Sequence, residues 1–125
     1  MMKATLPERV ERVERVERVE RVKGVCCPPS ITVPPARVDA SVEVLKALAD
    51  PTRLQMVGVL KRSSRPVCIC DFTAAFELSQ PTISHHMAKL RDAGLVDVTK
   101  VGIWAYYRLA GHLEPKTRAL LDVLV

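Results

Sequence analysis

Leu78-Ser79-Gln80-Pro81-Thr82-Ile83-Ser84-His85-His86-Met87-Ala88-Lys89-Leu90 is the stretch whose reading decides the fold. Ser79 is a good N-cap and Pro81 is tolerated in a first turn, so a helix is predicted to start here and to end at Gly94. Ile83, Met87 and Leu90 fall at i, i+4 and i+7 and form one buried stripe. Gln80, Thr82, Ser84, His85, His86 and Lys89 have little apolar work to do and point elsewhere. An outer face of amides, hydroxyls and imidazoles, poor in carboxylate, suits phosphate oxygens and base edges. The free N–H groups and positive dipole end at the helix start favour phosphate further.

The neighbouring sequence completes a recognisable unit. Pro66-Val67-Cys68-Ile69 reads as a short extended entry and Asp71 to Glu77 as a short helix, so with the quoted segment it makes a helix-turn-helix whose second helix enters the major groove. Downstream, Leu95–Thr99 and Ile103–Leu109 are β-rich and flank Lys100-Val101-Gly102, which predicts a hairpin turning at those three residues. Upstream, Val38, Val42, Leu45 and Leu48–Ala49 mark one helix. Asp50-Pro51-Thr52 restarts a second, with Asp50 as N-cap, running through Leu54, Val57 and Leu60 to about Ser63. After Gly111 a terminal helix is predicted to hold Leu113, Leu120, Leu121 and Leu124. The expected fold is mainly α with a β-hairpin wing: a winged helix-turn-helix over residues 36–125.

Residues 1–35 read as a flexible arm. Glu8 to Val22 is five copies of Glu-Arg-Val. A period of three drifts about 60° per repeat around a helix, so its valines make no single stripe, while Glu8–Arg12 and its successors are favourable i,i+4 pairs. Cys26-Cys27 follows, and then prolines 28, 29, 34 and 35, which favour an extended connector.

The chain has 125 residues and a formal charge of +5. The repeat is neutral, so the surplus lies in the remainder, including Arg53, Lys89, Arg91 and Lys100, and suits a polyanionic partner. No secretory signal and no run of about 18 apolar residues is visible. A cytoplasmic protein is expected, whose four cysteines favour metal binding or redox sensing over structural disulfides. Nothing around them resembles an acid/base constellation or a phosphate loop, so an enzyme is not expected.

Leu45 to Leu54 (LKALADPTRL), the quoted Leu78–Leu90, Leu90 to Val96 (LRDAGLV) and Tyr106-Tyr107-Arg108-Leu109, in that order, resemble the ArsR/SmtB metalloregulators over residues 36–125. The resemblance implies a transcriptional repressor that binds palindromic operator DNA as a homodimer built from its first and last helices. Gln80, Thr82, Ser84, His85, His86, Lys89 and Lys100 would then face the duplex. His85 and His86 point about 100° apart on a helix, which assigns them to DNA contact or capping rather than to one ion. Two positions depart from the family. Glu77 stands where glycine is common in the turn, so a local change of the turn is expected, since a left-handed non-glycine costs about 1 kcal/mol or more. At the wing tip only Lys100 is basic.

Cys68-Ile69-Cys70-Asp71 opens the third helix. An extended entry puts residues i and i+2 on one side, and a helix N-terminus lowers thiol pKa, so both sulfurs are expected to reach one ion as ready thiolates. The motif resembles the family's thiolate sensing site, with Thr73 where arsenite sensors often carry a further cysteine. Cys26 and Cys27 of the arm are therefore expected to complete a site with Cys68 and Cys70. Soft thiolates select thiophilic ions. Trivalent arsenic or antimony, wanting three sulfurs, is the first expectation, and arm cysteines followed by Pro-Pro resemble those of arsenite sensors. Cadmium or lead would use three or four, and all-thiolate zinc is an alternative; so is a thiol redox switch. The family's other zinc site, on the last helix, is not repeated by His112, Glu114 and Asp122.

Overall fold

The computed structural model describes Val22 and residues 32–125. The expectations for the Glu-Arg-Val repeat up to Arg21 and for Cys26-Cys27 lie outside the described residues. Pro35–Val125 forms one compact unit. Its elements are α1 (Pro35–Leu48), α2 (Pro51–Arg62), β1 (Val67–Cys68), α3 (Ile69–Phe76), α4 (Gln80–Asp92), β2 (Val96–Val101), β3 (Trp104–Leu109) and α5 (Pro115–Leu124).

Local chemistry sets the boundaries. Asp50 is extended and its carboxylate accepts the Arg53 N–H at 3.0 Å, capping α2 with Pro51 in the first turn. Ser79 does the same for α4. That helix ends in a Schellman motif: Leu95 N–H donates to Leu90 O at 3.0 Å and Gly94 N–H to Arg91 O at 2.9 Å, with Gly94 at φ 77°. Between α3 and α4, Glu77 adopts φ 54°, ψ 38°. The turn thus keeps the left-handed conformation despite the missing glycine, correcting the expected local change.

Ile83, Met87 and Leu90 of α4 are fully buried with Met56 and Val57 of α2, Phe72 of α3, and Leu95. The three strands form an antiparallel sheet in the order β1-β3-β2. Two details differ from the sequence reading. Lys100 and Val101 continue the ladder opposite Ala105 and Trp104, so the hairpin turns at Gly102-Ile103 instead of residues 100–102. Gly102, at φ 62°, supplies the positive φ that a two-residue turn needs at its first position. Leu113 precedes α5, which starts at Pro115. Val38, Val42 and Leu45 of α1 and Val123 and Leu124 of α5 are exposed. Among the described residues no helix is long and apolar enough to cross a membrane.

Replacing Glu77 with glycine removes a steric penalty of about 1 kcal/mol at this backbone angle, less the entropy glycine adds to the unfolded chain. Thermal unfolding of Glu77→Gly is expected a few degrees above the wild-type midpoint. Glu77→Val, β-branched at the same angle, is expected below it.

Candidate nucleic-acid interface and thiol site

With its apolar stripe in the core, α4 presents Gln80, His85 and Lys89 to solvent, with Thr82 and Ser84 half-buried. The Thr82 hydroxyl lies 2.9 Å from that of Ser79, so these two oxygens sit together at the helix start, where the Ser79 hydroxyl also accepts the Thr82 N–H at 3.4 Å. Gln80, Ser84 and Arg91 of α4 line one wall of a cleft of about 390 Å³, and Lys100, Ile103 and Trp104 of the wing line the other. The cleft joins reading helix and wing into one surface. Sequence reading missed Arg91 and Trp104 as parts of it. Arg91 could have been found by its helical spacing from Gln80 and Ser84. Trp104 could not, because its place depends on the hairpin register.

His86 lies apart from the others. Its side chain is 16% exposed and its Nδ1 sits 3.9 Å from Asp50 Oδ2 and 3.3 Å from Arg53 Nη1. Arg53 also donates through Nε to Ala47 O, the carbonyl near the end of α1, at 2.7 Å. The hydrogen bond from the Arg53 backbone N–H is the main cause holding the Asp50 carboxyl below its ordinary pKa. The rings of His85 and His86 are 6.2 Å apart at 62°, consistent with the divergent directions expected of neighbours on a helix.

The two described cysteines converge. Cys68 is the N-cap of α3, and its sulfur accepts the Cys70 N–H at 3.4 Å while the Cys70 thiol donates to it at 2.7 Å. Strand alternation is not what unites them, since Cys70 is already helical; the capping rotamer of Cys68 folds its sulfur over the first turn. Cys68 is buried and Cys70 exposed, so an ion would reach the pair from the Cys70 side. The expected lowering of thiol pKa is overturned for Cys70. Its hydrogen bond to Cys68, then burial and the nearby charges of Cys68 and Asp71, push that thiol up, because the shared proton outweighs the helix terminus. Thr73 Oγ1 donates to Cys70 O at 2.8 Å, committing its hydroxyl to the helix. Among the described residues no three histidine, cysteine or carboxylate side chains group as a metal site would require.

A helix-turn-helix followed by a β-hairpin, with a polar reading face and a thiol pair beside it, defines a winged-helix DNA-binding regulator. The model of the "Bacterial regulatory protein, arsR family" matches residues 50–98. The chain is 43% identical over 82 residues to the arsenic resistance transcriptional regulator ArsR1 of Pseudomonas putida, covering 66% of this chain and 63% of that protein. It is 40% identical over 81 residues to the arsenical resistance operon repressor of Escherichia coli, covering 65% and 68% respectively. Among solved structures, HlyU from Vibrio cholerae superposes with a TM-score of 0.63 at 28% identity, covering 73% of this chain and 94% of that one. The homodimeric winged helix-turn-helix DNA-binding domain Mb0332 from Mycobacterium bovis gives a TM-score of 0.59 at 30% identity, covering 70% and 77%. The chain belongs to the ArsR family of transcriptional regulators.

Removing the acceptor sulfur should release the Cys70 thiol from its hydrogen bond. In Cys68→Ala the Cys70 thiol loses its largest upward influence, so its thiolate fraction near pH 8 rises. Alkylation by iodoacetamide, followed by peptide mass spectrometry on the segment containing residue 70, is expected to be faster in that variant than in wild type.

Proposed function

We propose that this protein is a homodimeric, cytosolic repressor that holds a palindromic operator and releases it when arsenite or antimonite binds Cys68 and Cys70 together with a thiol of the arm, Cys26 or Cys27. The observation carrying this reading is the meeting of the Cys68 and Cys70 sulfurs, 2.7 Å apart, at the start of α3. That helix packs directly on α4, and Cys68 also belongs to β1, which pairs with β3 of the wing. An ion pulling on these sulfurs would act on both DNA-reading parts at once. The named relatives, an arsenic resistance regulator and an arsenical resistance operon repressor, support the choice of metalloid. The exposed Val38, Val42 and Leu45 of α1 with Val123 and Leu124 of α5 support association through those helices, since covering exposed apolar side chains is favourable. Gln80, Thr82, Ser84, His85, Lys89 and Lys100 are the residues assigned to the duplex, with Arg91 added from the cleft.

The central test is a gel shift under reducing conditions on the duplex upstream of the protein's own coding sequence. Arsenite is expected to release wild type, with an affinity loss of about 5- to 150-fold for a typical allosteric coupling. Cys68→Ser/Cys70→Ser is expected to bind the duplex and to ignore arsenite. Arsenite-induced release of the double variant would refute the site.

Proton balance separates the candidate ions. Arsenous acid and three thiols give a tris-thiolate and three waters, with no net proton, so arsenite affinity should be flat while the thiols are protonated. Cadmium, lead or zinc must expel the thiol protons, including the tightly held one on Cys70. Their affinity should climb about tenfold per pH unit for each proton released, until the thiols ionise. Isothermal titration between pH 6 and 8 distinguishes the two behaviours, and a steep slope with tight cadmium binding would move the assignment to the divalent ions.

The same sulfur proximity supports a second reading, in which peroxide oxidises the pair: two thiols and one peroxide give one disulfide and two waters. Release by peroxide without any ion, reversed by a dithiol reductant, would favour it. On the DNA side, Lys89→Gln and Lys100→Gln should each reduce the steepness of the salt dependence of binding by about one. An unchanged slope would remove that lysine from the phosphate contacts.

A further inference from the structure

The proposed function leaves His86 unused: it lies on the reading helix, yet its ring is turned from solvent toward the corner between α1 and α2. We infer that His86 is a positioning residue, which fixes α4 against that corner only while its ring is neutral and protonated on Nε2. The inference rests on α4 being the DNA-reading helix.

Donor and acceptor chemistry decides the tautomer. The Arg53 guanidinium donates and cannot accept, and its Nη1 lies 3.3 Å from His86 Nδ1. Nδ1 must therefore offer a lone pair, which places the ring proton on Nε2. Arg53 is itself fixed by its Nε bond to Ala47 O at 2.7 Å and by the Asp50 cap on its backbone N–H at 3.0 Å. One arginine thus ties the end of α1, the start of α2 and the middle of α4. Protonation of Nδ1 would set an N–H against the N–H of Arg53 and a cation against a cation. The new donor would turn instead to Asp50 Oδ2, now 3.9 Å away, and Arg53 would lose its hold on α4. Among the described residues, the charged groups facing the ring are Asp50 and Arg53 from the corner, with His85 beside it on its own helix. Histidine is the side chain that makes this change in mildly acid solution.

The sign of the pH effect distinguishes this role from simple charge. Protonating exposed histidines adds positive charge and should strengthen binding to DNA. Release of the Arg53–His86 bond should weaken it. The full-length protein, free of inducer, is titrated onto the duplex upstream of its own coding sequence at pH 7.5 and 5.5, at constant ionic strength. Wild-type affinity is expected to fall about fivefold or more toward the lower pH, in the range of ordinary couplings. In His86→Gln the amide oxygen can still accept from Arg53 but the side chain does not titrate, so the fall should vanish or reverse. A wild-type affinity that rises at pH 5.5, or a His86→Gln variant that keeps the fall, overturns the inference. Nitrogen-15 NMR of the histidine rings in wild type, without DNA, is an independent test: the neutral His86 ring should carry its proton on Nε2, and a proton on Nδ1 overturns the inference. If no duplex is held at either pH, the reading of α4 fails instead, and the tautomer alone decides the role of His86.

Discussion

The burial of one stripe on α4 is the constraint from which the rest of the structure follows. Ile83, Met87 and Leu90 are wholly withdrawn from solvent among Met56, Val57, Phe72 and Leu95, and each such side chain stabilises by roughly 1.5–3 kcal/mol through its burial. A helix held by three consecutive turns on one side has its rotation about its own axis fixed. The polar face then cannot turn inward, and Gln80, Ser84, His85 and Lys89 are kept outward by the cohesion of the core alone. The two ends are fixed equally firmly, by the Ser79 cap and by the Schellman closure at Gly94. Sequence specificity in the groove needs this rigidity, because bidentate contacts to base edges tolerate little displacement.

Against that rigid helix, Cys68 occupies an unusual junction. It is at once the last residue of β1, paired opposite Tyr106 of the wing, and the N-cap of α3. It therefore links β3 of the wing to the start of α3, the helix that packs on α4. Its sulfur serves as a cap acceptor for Cys70 N–H in the absence of an ion. A soft ion bound there would compete for the same lone pairs, so that ion binding and α3 capping would oppose each other.

The elements legible in the sequence are those specified locally. Asp50-Pro51 and Ser79-Pro81 announce helix starts by side chains that bond within their own first turn, and Ile83, Met87 and Leu90 announce a face by spacing. What is illegible depends on partners distant in sequence or on a rotamer. Composition puts the hairpin turn at residues 100–102, whereas Lys100 and Val101 are held in the ladder by Ala105 and Trp104 and the chain reverses at Gly102-Ile103, a matter of register. The upward shift of the Cys70 thiol depends on where the Cys68 sulfur lies, which spacing cannot give. The partnership of His86 with Arg53 spans thirty-three positions, and in the sequence the imidazole reads as one more member of the outward face.

That partnership gives the reading helix a second mechanical input. The first, in the proposed function, would come through α3 from the thiols. The second comes through Arg53, whose guanidinium joins Ala47 of α1 to His86 of α4. The outer face of α1 is apolar and exposed at Val38, Val42 and Leu45, so whatever packs there bears on the helix whose C-terminal carbonyl Arg53 grips. Shifting α1 by an ångström would lengthen a 2.7 Å bond beyond hydrogen-bonding range or drag the guanidinium with it, and in either case His86 would register the change. A displacement of α1 and one at the start of α3 would therefore bear on the same helix. Each needs to alter only its own neighbouring bonds, because the tightly packed core between them transmits displacement instead of absorbing it.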